Sequence, residues 1–144
     1  MDIEKILPTC GQLERQLSQA IQSLYHLRFG HMLRKVVCHI FADKVAIVAE
    51  DTVTSIEQLL AENSQLELAN NIRKAVNEAF TTDVKQQVTN ILQVEVLEAI
   101  SDSTLESGYM GMIVFLASPP ETRLTKRKYR NQQLSQRKAQ VISQ

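Results

Sequence analysis

The chain has 144 residues, 44% apolar and 22% charged, with 16 Lys and Arg against 16 Asp and Glu. This is the composition of an ordinary globular domain that closes a core without disulfides or a structural metal; it excludes fibrous, collagen-like and fully disordered chains, and zero net charge predicts neither a nucleic-acid binder nor an acidic solvating protein. The charges are unevenly placed, however, so that an acidic body, residues 1–118, precedes a basic extension, residues 119–144.

The N-terminus, Met1-Asp2-Ile3-Glu4-Lys5, carries early acids and no apolar segment of the kind a secretory signal needs. The apolar run from Met110 to Ala117 falls far short of the roughly twenty residues that cross a bilayer. A cytoplasmic protein without a transmembrane segment is the expectation. Cys10 and Cys38 fit a reducing compartment as free thiols, a disulfide between them being the alternative.

Thr9, with Gln12 three residues on, has the form of a capping box and predicts a helix from that point to a stop at Gly30. Along it Leu13, Leu17, Ala20, Ile21, Leu24 and Leu27 recur at spacings of three and four. Such a stripe needs a cover. Either it packs on a sheet beside another helix, or Leu13, Leu17, Ile21 and Leu24 meet their symmetry mates in a two-fold homodimer.

Two β-branched apolar runs, Val36 to Phe41 and Val45 to Ala49, flank Ala42-Asp43-Lys44 and read as a β-hairpin. Both are apolar on both alternations, so one face is expected against helices and the other at least partly covered. Thr54 with Glu57, and Ser64 with Glu67, make two further capping boxes ahead of a short and a long helix. The long helix aligns Leu68, Ile72, Val76, Phe80, Val84 and Val88, places Arg73 and Lys74 elsewhere around the wheel, and carries a possible bend at Thr81-Thr82. Val94 to Ser101 and Met110 to Ala117 form a second hairpin, with Gly108 available for a positive φ, before Pro119-Pro120 end the fold. The predicted fold class is α+β: a four-stranded antiparallel sheet from two hairpins, with the N-terminal helix and the long central helix packed on it.

Nucleophilic catalysis needs a nucleophile and a base within reach. The histidines, His26, His31 and His39, belong to no such constellation, and His39 and Cys38, adjacent in a strand, point to opposite faces. No C-x-x-C or H-E-x-x-H pattern marks a metal site, and four glycines leave no phosphate-cradling loop. Neither enzyme activity, cofactor nor metal is expected. Two features remain. Glu50-Asp51 after the second strand, with Asp102, Glu106 and Gly108 in the second hairpin loop, could bring carboxylates together for a hard cation, or Asp102 organises the turn through its own backbone. In the extension, Arg123, Lys126, Arg127, Lys128, Tyr129, Arg130, Arg137 and Lys138 offer a surface for nucleic-acid phosphates or anionic lipid headgroups, or act as a solvated, mobile counterpart of the acidic body.

The stretches Leu27-Arg28-Phe29-Gly30-His31, Lys44 to Asp51, Glu57 to Leu60 with the long helix after it, and Ile100 to Gly108 resemble the MpsC-like family. This family of small bacterial domains is named for a sodium-translocating membrane-potential-generating system. The similarity runs from about Gly11 to Thr122, and the cyanobacterial branch is the most similar; the proline that members often carry before the first strand is missing from Gly30-His31-Met32-Leu33. The resemblance implies an α+β sandwich and no established catalytic residues. The functional expectation is a non-enzymatic protein-interaction or regulatory domain, a homodimer with an unidentified protein partner. The alternatives are a peripheral accessory of a cation or membrane transport system, and nucleic-acid binding through the tail.

Overall fold

In the computed structural model, which describes residues 6–123 and 134–138, Thr9 caps helix α1 (Cys10–Phe29). Its hydroxyl oxygen accepts from the Gln12 N–H while the Gln12 side chain accepts from the Thr9 N–H, so two otherwise orphaned donors are satisfied reciprocally. Gly30 ends the helix at φ 65°, a left-handed conformation that costs glycine little. Strand β1 (Lys35–Phe41) turns through Ala42-Asp43 into β2 (Lys44–Glu50).

Helix α2 (Ser55–Glu62) opens with the Thr54–Glu57 capping box, whereas α3 (Leu66–Leu92) lacks the box expected at Ser64. The link between the two helices is so short that Ser64 is driven to φ 61° and Gln65 takes the cap position without a side-chain bond. The long helix runs through Thr81 and Thr82, whose hydroxyls donate to the Asn77 and Glu78 carbonyls within it. Strands β3 (Val96–Ser103) and β4 (Met110–Leu116) complete one antiparallel sheet in the order β1-β2-β4-β3, the two hairpins being joined by β2 and β4.

Both long helices lie on the same side of the sheet, α1 over β1 and α3 over β3, and touch each other. Leu13, Leu17, Ile21 and Tyr25 are buried at spacings of four along α1, facing Cys38, Ile40, Val45, Ile47, Met112 and Val114 of the sheet. The stripe is therefore covered by the chain's own core. A dimer through Leu13, Leu17 and Ile21 has no surface to use; Leu24 is half-buried, and Leu27, at 82% exposure, lies off the stripe, its expected place taken by Tyr25. Cys10 and Cys38 are both free and buried, and burial pushes the Cys38 thiol up to about 11.

The opposite face differs from expectation. No described element lies over it, and Val37, Phe41 and Val48 remain exposed, because both helices pack on one side. The body also extends past residue 118: Pro120 is buried and the Arg123 N–H donates to the Pro8 carbonyl at 2.8 Å.

Truncating Ile21 to Ala should destabilise the fold by about 3 kcal/mol through lost burial and the cavity left behind, while Leu27→Ala should change it by less than about 0.5 kcal/mol. Urea unfolding of the two variants measures the contrast.

Candidate functional site

At the end of the core nearest α2, the buried stripe of α3 changes character: Phe80, Val84, Val88 and Leu92 are apolar, but the preceding inward positions are Arg73 and Asn77. Arg73 is almost fully enclosed and sits against the fully buried Glu57 carboxylate, Nη1 to Oε2 at 3.2 Å. The same Nη1 donates to the Thr52 carbonyl at 2.6 Å and to the Thr52 hydroxyl at 3.1 Å, and Nη2 donates to the Tyr25 hydroxyl at 3.0 Å. Tyr25 in turn donates to the Thr52 carbonyl. Thr52 then carries the network to the β3–β4 loop, its N–H and hydroxyl both donating to the Gly108 carbonyl at 2.9 and 3.0 Å.

The electrostatics follow from enclosure. Burial pushes the Glu57 carboxyl above the ordinary Glu value, against the pull of the Arg73 guanidinium, and its Oε1 has no partner among the described residues. Burial likewise raises the Tyr25 phenol, against its hydrogen bond from Arg73. Packed against Phe80 edge to face at 4.9 Å between ring centroids, Tyr25 closes the apolar side of the node. Glu57, Arg73, Tyr25 and Thr52 bond one another and are enclosed, so this cluster acts as a clamp joining α1, α2, α3 and the β2–α2 link.

Two surface features surround the clamp. A cavity of about 1090 Å3 runs between α3 and β3, with Arg73 and Asn77 among its lining residues. A smaller one, about 360 Å3, gathers Arg34, Asp51, Glu106, Gly108 and Tyr109. Of the loop residues singled out in the sequence, Asp51, Glu106 and Gly108 line this smaller cavity together, and Asp102 lines the larger one with Glu106. Asp102 organises its own backbone, Oδ1 accepting from the Ser103 N–H at 2.9 Å, and Gly108 stands at φ 73°. Glu50 pairs with Arg34 at 3.2 Å, and the Asp51 carbonyl meets His31 Nε2 at 2.7 Å. Among the described residues no group of three His, Cys, Asp or Glu side chains has the arrangement to hold a metal.

Of the basic extension, Arg123, Arg137 and Lys138 are described and exposed, while Lys126, Arg127, Lys128, Tyr129 and Arg130 lie outside the described residues. Sequence reasoning placed Arg73 off the apolar stripe of the long helix and gave Glu57 a capping role. The one signal that could have found the pair is the spacing of Arg73 and Asn77 with Phe80, Val84 and Val88, which puts them on the buried stripe.

Because the Tyr25 phenol is held above its ordinary value of 10.0, the stability it lends is complete below pH 10 and is lost as pH rises through the folded value. Cys38 acts in the same direction from pH 9 towards about 11. Tyr25→Phe should cost about 1–3 kcal/mol at neutral pH by leaving Arg73 Nη2 without its acceptor, and should flatten the alkaline loss. Urea midpoints at pH 8 and pH 11 test both statements. Glu57→Ala should cost roughly 3–5 kcal/mol by leaving the guanidinium without its buried counter-charge, whereas Glu57→Leu with Arg73→Met should lose less.

Among curated proteins and among solved structures nothing matches this chain. A family model described as "Na+-translocating membrane potential-generating system (MpsC)" matches residues 9–118, from the α1 cap through β4. With the match running through every helix and strand of the sheet domain, the chain belongs to the MpsC family.

Proposed function

We propose that the domain is a non-enzymatic protein-interaction module that docks through the uncovered face of its sheet, with a second copy of the chain as the occupant. One observation carries the reading. On the face opposite the helices Val37, Val48 and Ile100 are 45%, 49% and 63% exposed, and contiguous apolar surface of this kind is rare on a monomer unless it binds something. Register places Ala46 and Ile113 beside them at the centre of the face, with Phe115 in the next row.

The rim supports a second copy over an unrelated partner. On this face β1 carries Lys35, opposite Glu50 of β2 in register, and His39, whose Nδ1 lies 3.2 Å from Glu14 Oε2, whereas β3, at the other edge, carries Glu98 and Asp102. A two-fold axis lying between two such faces and parallel to the strands sets β1 of one copy over β3 of the other, and β2 over β4. Each basic edge then meets an acidic one while the apolar centres close on each other.

The family description favours a second reading, an accessory of a sodium-translocating system. Among the described residues no helix is long and apolar enough to cross a membrane, so that role would be exercised by docking to a membrane partner.

Light scattering at micromolar concentration should give about twice the chain mass of 16.3 kDa, and Val48→Lys with Ile100→Lys should give a folded monomer, since both side chains are exposed. Lys35→Glu should weaken the dimer and Asp102→Lys in the same chain should partly restore it, because a two-fold axis makes each contact twice. A wild-type mass near 16.3 kDa throughout that range would rule the dimer out.

A further inference from the structure

The cavity between α3 and β3 has a floor of unusual chemistry. Asn77, only 8% exposed, donates through Nδ2 to the Ser101 hydroxyl at 3.0 Å, and that hydroxyl is shared with Thr81 at 2.7 Å. Its Oδ1, an acceptor, has no partner among the described residues, and neither has the Ser103 hydroxyl beside it on β3. An enclosed acceptor left open in this way costs free energy unless something donates to it.

The wall formed by β3 is also rich in acceptors. The Thr104 N–H donates to the Tyr109 carbonyl at 3.2 Å, which fixes the phase of the ladder: residues 98, 100 and 102 bond to β4, and residues 99, 101 and 103 turn their backbone groups to the open edge. Two of those three outward N–H groups are already taken, Ala99 by Glu98 Oε1 at 3.0 Å and Ser103 by Asp102 Oδ1 at 2.9 Å. Three carbonyls and a single N–H remain. Around the rim stand Glu78, Glu98, Asp102 and Glu106; among the described residues of the lining, Lys74 is the one cation without an ion-pair partner, since Arg73 is paired with Glu57.

From this geometry we infer that the cleft binds an organic cation, an ammonium or guanidinium group carried on an extended chain. Such a group supplies donors without acceptors, which Asn77 Oδ1, the outward carbonyls of β3 and the rim carboxylates call for; the enclosed Arg73 Nε, a donor without a partner among the described residues, is the exception on the lining. The apolar stem joining its charges would lie along Leu66 and Leu105. Two sources carry this chemistry: a free polyamine and a basic peptide segment. The cleft adjoins the proposed dimer face at Ile100 and Asp102, so its test uses Glu78 and Glu106, which the dimer variants leave unchanged.

Calorimetric titration of the full chain with spermidine, and separately with a peptide of the sequence Thr125–Asn131, should show saturable binding of at least one probe. Glu78→Gln with Glu106→Gln, both exposed, should weaken it about tenfold or more without changing the melting temperature. Glu62→Gln with Glu95→Gln, which removes the same charge elsewhere, should leave affinity within about twofold. Tighter binding of spermidine identifies a free polyamine, and tighter binding of the peptide identifies a basic segment. Zero-length carbodiimide cross-linking of the full chain is the second readout: a lysine of the extension joined to Glu78 or Glu106 identifies occupancy by the chain's own basic segment. Equal loss in both double variants, or absence of both saturable binding and such cross-links, overturns the inference.

Discussion

A guanidinium enclosed in a protein interior must have its charge balanced and its donors met, and the course of this chain around Arg73 follows from that requirement. The counter-charge comes from α2 through Glu57, the acceptors from the β2–α2 link through Thr52 and from α1 through Tyr25. Thr52 passes the constraint on to Gly108 in the β3–β4 loop. Segments far apart in sequence are thereby held to one point. The capping box of α2 takes on a second meaning here, because the Glu57 carboxylate that accepts from the Thr54 N–H also presents an oxygen to Arg73. Helix initiation and tertiary docking use the same side chain.

The clamp divides the interior into two chemistries. Towards the C-terminal half of α3 the helices meet the sheet through Phe80, Val84, Val88 and Leu92, where burial is non-directional and tolerant. Towards its N-terminal half they meet through Arg73, Asn77, Thr81 and Ser101, where each atom needs a partner in a fixed direction. The seam between α3 and β3 is consequently polar and stays open as a cleft, while the seam between α1 and β1 is apolar and closed. A polar seam of this kind fixes register without excluding a ligand.

The fold was legible wherever periodicity and local capping decide structure. Thr9 with Gln12, Gly30, Thr54 with Glu57 and the two alternating hairpins announce their elements because those signals act over a few residues. At Ser64 a local pattern was overridden by the shortness of the α2–α3 link. What the sequence hid was burial of charge. Arg73 and Asn77 look like solvent positions to any rule that equates polarity with exposure, although their spacing to Phe80, Val84 and Val88 continues the inward stripe. For the same reason the α1 stripe was given a choice of partners: a single helix does not reveal that a neighbouring helix leaves room for it on the sheet. Of the loop carboxylates, Asp102 and Glu50 are occupied with a backbone N–H and with Arg34, engagements that depend on rotamers no sequence pattern records.

Sheet edges and sheet faces are treated differently in this molecule, and the contrast bears on how it associates. An open strand edge invites pairing with any other strand, and natural proteins block it. On β1 the Ile40 N–H, which faces outward, is taken by Glu14 Oε2 at 2.7 Å, and its carbonyl is approached by the Cys10 thiol, both from α1. On β3 the outward N–H groups of Ala99 and Ser103 are taken by carboxylates of the strand itself. Both edges are thus blunted by specific side chains. The face carrying Val37, Val48 and Ile100 has no comparable protection at its centre; its charges stand around it, Lys35 and His39 on β1, Glu98 and Asp102 on β3, and Lys44 and Glu50 at the two ends of β2. Edge protection suppresses open-ended growth, since strand addition at an edge leaves a new edge behind, whereas two faces that cover each other leave nothing further to bind. In the proposed docking, blocked edges with an open apolar face would favour a closed pair over a filament.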